Sequence, residues 1–155
     1  MNDMIENPLA TFLDSFDAFA AESGRAGLAF DDEDCVTVEI GDDVLVNLSI
    51  DTETETVLAF ATVGVADDTV MDVAELYLGF LKAHAYGEGT HGFTVGLESE
   101  ESGRIVVQDR RLLAEFPDST AVAAWIGACA LAVRELRGRL SPTDPGRIAE
   151  DIIHP

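Results

Sequence analysis

The sequence predicts an α+β domain in which helices pack on a single antiparallel sheet, in the order α-β-β-β-α-β-β-α. Three observations predict it. Apolar residues recur at helical spacing in three separated stretches, and in the stretches between them the period drops to two. The first three two-period runs are joined by connections too short for crossover helices, so they form a meander. With 155 residues, 47% of them hydrophobic, the chain can bury a core without disulfide or metal staples, despite a net charge of -21.

Each element has its own signal. Asn7 is an N-cap with Pro8 at the first helical position, and Leu9, Phe12, Leu13, Phe16, Phe19 and Ala20 form one stripe that Gly24 ends. Val36, Val38 and Ile40 alternate with Cys35, Thr37 and Glu39 in a half-buried strand. Gly41-Asp42-Asp43 supplies the turn to a second strand, carried by Val44, Val46, Leu48 and Ile50. After the acidic turn from Asp51 to Glu55, Val57 to Val65 is a third strand, apolar on both faces. Asp67, Asp68 and Thr69 offer caps and first-turn acids for a helix over Val70 to Ala83.

That second helix is apolar nearly all round. Val70, Val73, Ala74, Tyr77 and Leu81 make one stripe, while Met71, Leu76, Leu78 and Phe80 cover much of the rest. Such a helix needs cover on two sides, and a second copy of the chain is the expected second cover. A glycine-rich turn from Tyr86 to Gly92 leads to strands at Phe93 to Leu97 and Ile105 to Arg110. The final helix, Ser119 to Leu140, buries Val122, Trp125, Ile126, Cys129, Val133, Leu136 and Leu140. Residues 1–140 are thus expected to form one domain and 141–155 a flexible tail, although Ile148, Ile152 and Ile153 could dock.

Charge and motifs narrow the function by exclusion. Residues 1–103 hold 23 acids against two bases, Arg25 and Lys82, and residues 104–155 hold seven of each. A field of this sign repels phosphate backbones and anionic lipid, which argues against nucleic acid and membrane partners and suits a basic or neutral one. The N-terminus has acids where a secretory signal has a basic segment, and no run approaches a membrane span, so a cytoplasmic location is expected. Gly87, Gly89 and Gly92 match a dinucleotide fingerprint, but a helix precedes them and a strand follows, the reverse of what that mechanism needs. Cys35, Cys129, His84, His91 and His154 have no metal-ligand or nucleophile spacing, although His91 and Glu88 could be imagined as an acid–base pair. The acids at Asp31 to Asp34 and at Asp51, Glu53 and Glu55 lack the glycine and glutamate of a calcium loop. No catalytic residue, metal site or cofactor is therefore expected, and the chain is read as a non-enzyme.

One stretch carries a family resemblance. Leu78-Gly79-Phe80-Leu81-Lys82-Ala83-His84-Ala85-Tyr86-Gly87-Glu88-Gly89-Thr90, then Gly92-Phe93-Thr94-Val95-Gly96-Leu97, resembles the second helix, glycine turn and following strand of the class I type III secretion chaperones, the family of the Tir chaperone. Val107 to Leu112 fits that family's fifth strand, and the order of elements agrees over residues 7–140. The resemblance implies a type III secretion chaperone-like fold and a homodimer joined through the second helix and fourth strand, here Leu76, Phe80, Phe93 and Val95. It also implies a job, binding the N-terminal segment of a secreted effector and keeping it soluble and secretion-competent, with recognition of the secretion ATPase as a further role for the acidic surface. Strand addition and groove binding then point to Phe12, Phe16, Leu28, Phe30 and Val38 as partner-binding residues. The alternative within the same fold is an adaptor that binds a folded regulator. An enzyme or small-ligand binder on an α+β scaffold is the third class, since fold alone does not exclude it.

Overall fold

The computed structural model of the protein describes residues 7–65, 73–84, 90–99 and 101–140, without the side chains of residues 73–77, 83 and 140. The expected caps at Asp67, Asp68 and Thr69, the first part of the glycine-rich turn, His154 and the segment from Ser141 onward lie outside the described residues.

The first helix, α1 (Pro8–Glu22), starts where its cap signals place it. The Asn7 side chain accepts from the backbone N–H groups of Leu9 at 3.0 Å and Ala10 at 3.3 Å. It buries Phe12, Phe16, Phe19 and Ala20, and Gly24 ends it with φ of 81°, where a Cβ would be strained. Strands β1 (Cys35–Ile40), β2 (Val44–Asp51) and β3 (Thr56–Val65) form the expected antiparallel meander. Then come α2 (Val73–His84), β4 (Thr94–Leu97), β5 (Arg104–Leu112), a single 3-10 turn at Leu113–Glu115, and α3 (Ser119–Leu140).

The five strands form one antiparallel sheet in the order β1-β2-β3-β5-β4. Chain order is broken once, where β5 inserts between β3 and β4 and leaves β1 and β4 as the edges. Period two along each strand sends Val36, Val38, Val44, Val46, Leu48, Val57, Ala59, Ala61, Ile105 and Val107 to one face. Helix α3 packs on that face, α1 packs against α3 and the 3-10 turn, and α2 packs beside β4. On the opposite face Leu58, Phe60 and Val106 are half-buried and Leu45 is exposed, consistent with the two-sided apolar character of the third strand. By length and composition α3 could cross a bilayer. Its apolar side chains, Val122, Trp125, Ile126, Cys129, Val133 and Leu136, instead supply the core.

Long-range polar contacts fasten α3 to the sheet and α1 to the segment that follows the 3-10 turn. Arg137 of α3 donates to the carbonyls of Val63 at 2.9 Å, Thr62 at 3.2 Å and Asp43. One turn earlier, Arg134 forms a two-point ion pair with Asp43, both contacts at 2.9 Å, and reaches the Ile40 carbonyl. Ser15 on α1 is buried, and its hydroxyl donates to the carbonyl of Phe116 at 2.9 Å.

Candidate partner-binding surfaces

The loop between α1 and β1 folds back over the phenylalanine stripe. Phe30 lies edge-on to Phe12 and Phe16, with ring centroids 6.0 Å and 5.0 Å away, and Phe116 closes the far side of Phe12 at 5.5 Å. Of the five residues expected to meet a partner, Phe12, Phe16 and Val38 have no exposed surface, while Leu28 and Phe30 are half-buried outer members of the same cluster. The structure therefore brings all five into one apolar cluster, and of the five it leaves Leu28 and Phe30 accessible from solvent. A helical stripe looks the same in sequence whether the chain's own loop or a foreign chain covers it, which is why this difference was not visible there.

Beside the cluster runs the β1 edge. Antiparallel pairing makes alternate residues turn their N–H and C=O groups away from the partner strand. In β1 these are Cys35, Thr37 and Glu39. The Asp31 backbone N–H donates to the Cys35 carbonyl at 2.8 Å, and an Asp31 carboxylate oxygen accepts from the Cys35 N–H at 3.0 Å. At the other end the Arg25 guanidinium donates to the Glu39 carbonyl through Nε at 3.2 Å and a terminal nitrogen at 2.7 Å.

The opposite edge has a different arrangement. Leu78 and Leu81 of α2 are 51% and 68% exposed, unlike Phe80, which belongs to the core together with Phe93 and Val95. The sequence-predicted dimer residues thus divide: Phe80, Phe93 and Val95 are buried within the protomer, and the side chain of Leu76 lies outside the described residues. Sequence reasoning placed Leu81 on one stripe and Leu78 in the remainder, and the pair proves to be the exposed large apolar side chains of α2 among the described residues. His84, at the C-terminal end of α2, accepts the Val95 N–H at 2.8 Å through Nε2 and so ties the helix to β4.

The groups with chemical potential are spent on structure. Asp51 accepts the backbone N–H groups of Glu53 and Thr54, and these bonds hold its carboxyl below the usual value; Asp31 builds a similar turn through Glu33 and Cys35. Burial pushes the Cys129 thiol up to about 12, an unreactive state. His91 pairs with Glu135 of α3 at 3.2 Å, while Glu88, the partner imagined for it, lies outside the described residues. Among the described residues no three acidic, histidine or cysteine side chains cluster as a metal site would need.

Comparison with known proteins fits this geometry. A family model described as the Tir chaperone protein (CesT) family matches residues 16–133. Among solved structures, the chain resembles one in the ExsC–ExsE complex with a TM-score of 0.71 at 18% identity, covering 87% of this chain and 97% of that one. It resembles one in the HopA1–SchA chaperone–effector complex with a TM-score of 0.64 at 19% identity, over 84% and 97% of the two chains. The Yersinia pestis type III secretion chaperone SycH, in complex with a stable fragment of YscM2, gives 0.60 at 15% identity, over 81% and 97%. Among curated proteins none matches.

Proposed function

The chain belongs to the Tir chaperone protein (CesT) family, and from that membership we propose that it is a cytoplasmic type III secretion chaperone that holds the N-terminal segment of a secreted effector in an extended, secretion-competent state. The observation that carries this reading is the juxtaposition at one end of the sheet. The accessible part of an aromatic cluster, Leu28 and Phe30, belongs to the loop that runs from Arg25 to Asp31 beside a sheet edge, where the outward backbone groups of Thr37 have no partner among the described residues. Apolar side chains of an unfolded segment fit the first, and its backbone fits the second. Phe12, Phe16 and Val38 then act from beneath, as the packed floor that holds Phe30 in place. The client-binding role of Arg- and Lys-poor residues 1–103 is consistent with a basic or neutral client, and the acidic surface keeps the loaded complex soluble and is available to the secretion ATPase.

A homodimer through α2 and β4 is part of the same proposal. Leu78 and Leu81 are the residues that a second copy would cover, with Phe80, Phe93 and Val95 supporting them from inside. The experiment that tests the function is co-purification of the protein from its native host, read by mass spectrometry. Recovery of one or a few large secreted proteins, lost when their N-terminal segments are deleted, is the expected result. Recovery of only a folded regulator would replace this reading with the adaptor, and absence of any protein partner would defeat both.

A further inference from the structure

We propose that Arg25 is a removable cap on the β1 edge, and that the segment this edge accepts is an extended chain with lysine or arginine flanking its pairing residues. The proposal rests on the chaperone reading above and adds the control of the site and the chemistry of its occupant.

The outer edge of β1 is hydrogen-bonded at both ends and, among the described residues, not at Thr37 between them. Asp31 occupies both backbone groups of Cys35, and Arg25 occupies the carbonyl of Glu39. Among the described residues this leaves the N–H and C=O of Thr37 and the N–H of Glu39 for an incoming strand. Those groups alone admit a short bridge. A continuous ladder also needs the Glu39 carbonyl, and only displacement of Arg25 releases it.

The two closures differ in how easily they open. The Asp31 closure is built into the backbone turn that starts β1. Arg25 reaches Glu39 through a long side chain, with a further contact to the Ser23 carbonyl at 3.2 Å and its guanidinium carbon 5.8 Å from the centre of the Phe19 ring. An arriving strand that supplies its own N–H to Glu39 replaces what Arg25 gave, and the guanidinium swings into water without leaving a buried group unpaired.

The surroundings choose the occupant. Arg25 and Lys82 are the two bases among residues 1–103, and the sequence bracketing the edge is Asp31-Asp32-Glu33-Asp34 before β1 and Asp42-Asp43 after it, with Glu39 exposed on the strand. Asp43 is neutralised by Arg134, and the others have no such basic partner among the ion pairs of the described residues. Swinging Arg25 away adds to this negative rim, so a cationic segment gains what an acidic one loses.

The test uses the full chain and two end-blocked nine-residue peptides of alternating threonine and valine, one with lysine at both ends and one with glutamate. The lysine peptide is expected to bind the Arg25→Ala variant about tenfold more tightly than the wild type, since one charged cap no longer competes. It is expected to slow amide exchange at Thr37 and Glu39 on binding, and the glutamate peptide is expected to bind at least about tenfold more weakly. Thr37→Pro, which removes an outward N–H and leaves the β1–β2 bonds intact, should abolish binding. Equal affinity in wild type and Arg25→Ala, binding without protection of the two amides, or equal binding of the glutamate peptide would each overturn the proposal. The amide readout needs no proline variant, so poor folding of Thr37→Pro leaves the test complete. A native client retained equally by Arg25→Ala and Thr37→Pro would sink the cap while the chaperone reading stood.

Discussion

Replacing Phe16 by alanine separates a core residue from a binding anchor. The ring has no exposed surface and lies between Phe12, Phe19 and Phe30, with centroids 6.5, 5.8 and 5.0 Å away. Truncation of a buried phenylalanine costs about 3–5 kcal/mol through lost transfer energy and the cavity left behind. Three aromatic neighbours keep this site from the lower end of that range, at about 4 kcal/mol. A domain of this size has a total stability of about 5–15 kcal/mol, so the variant should fold but with a large fraction of its margin gone. At a urea dependence of about 2 kcal/mol per molar, the midpoint should fall by about 2 M. Urea titration followed by circular dichroism, in the absence of any partner, measures it. A change below about 1 kcal/mol would mean that the ring is not packed as described, and the cluster would have to be a surface on which Phe16 itself meets the client.

Other outcomes follow from the same contacts. Leu78→Glu with Leu81→Glu should leave the melting curve of the protomer intact and halve the solution mass measured by light scattering; an unchanged mass would remove α2 from the interface. These exposed sites are better probes than Phe80→Glu, where a charge in the core would unfold the protomer as well. Arg134 holds the Asp43 carboxyl below its ordinary 3.8, so the stability that this pair gives is complete above that value and is lost as pH falls through the lower folded one. Asp43→Asn should therefore flatten the acid limb of the stability curve below about pH 4, and parallel limbs in the two proteins would contradict the assignment. Ser15→Ala strands the buried Phe116 carbonyl and should cost about 1–3 kcal/mol in the same urea titration, with no effect at all as the contrary result.

Local signals carried much of the fold. Asn7 and Pro8 announce α1 at its observed start, and the apolar spacing from Val122 to Leu136 announces α3, because caps and helical period depend on near neighbours. Period two likewise put Val36 and Val38 on the buried face. The order of strands was beyond such signals: a period says which face a residue takes, not which strand lies beside it, so the insertion of β5 between β3 and β4 had no trace. The roles of Arg134 and Arg137 were hidden for the same reason, since their partners lie some 91 to 94 positions back along the chain for Asp43 and Ile40. The five candidate residues were legible as apolar positions, and which of them stay accessible was not. Whether Phe12 is covered depends on where Phe30 folds back, and a loop without periodicity does not declare that.

The arginine clasp of α3 on the first hairpin also sets an order of events during synthesis. The Gly41–Asp43 turn is made early, but Arg134 and Arg137 are translated about 90 residues later, and Ser15 must wait about 100 for Phe116. At about 5–20 residues per second this is an interval of seconds in which the phenylalanine stripe of α1 has no cover from α3. The nascent protein thus passes through the condition it is proposed to relieve in its clients, exposed apolar chain awaiting a late partner. Protease protection of ribosome-held chains should appear only once residues beyond Arg137 have left the exit tunnel; protection of chains that end before Ser119 would show that the hairpin closes without its clasp.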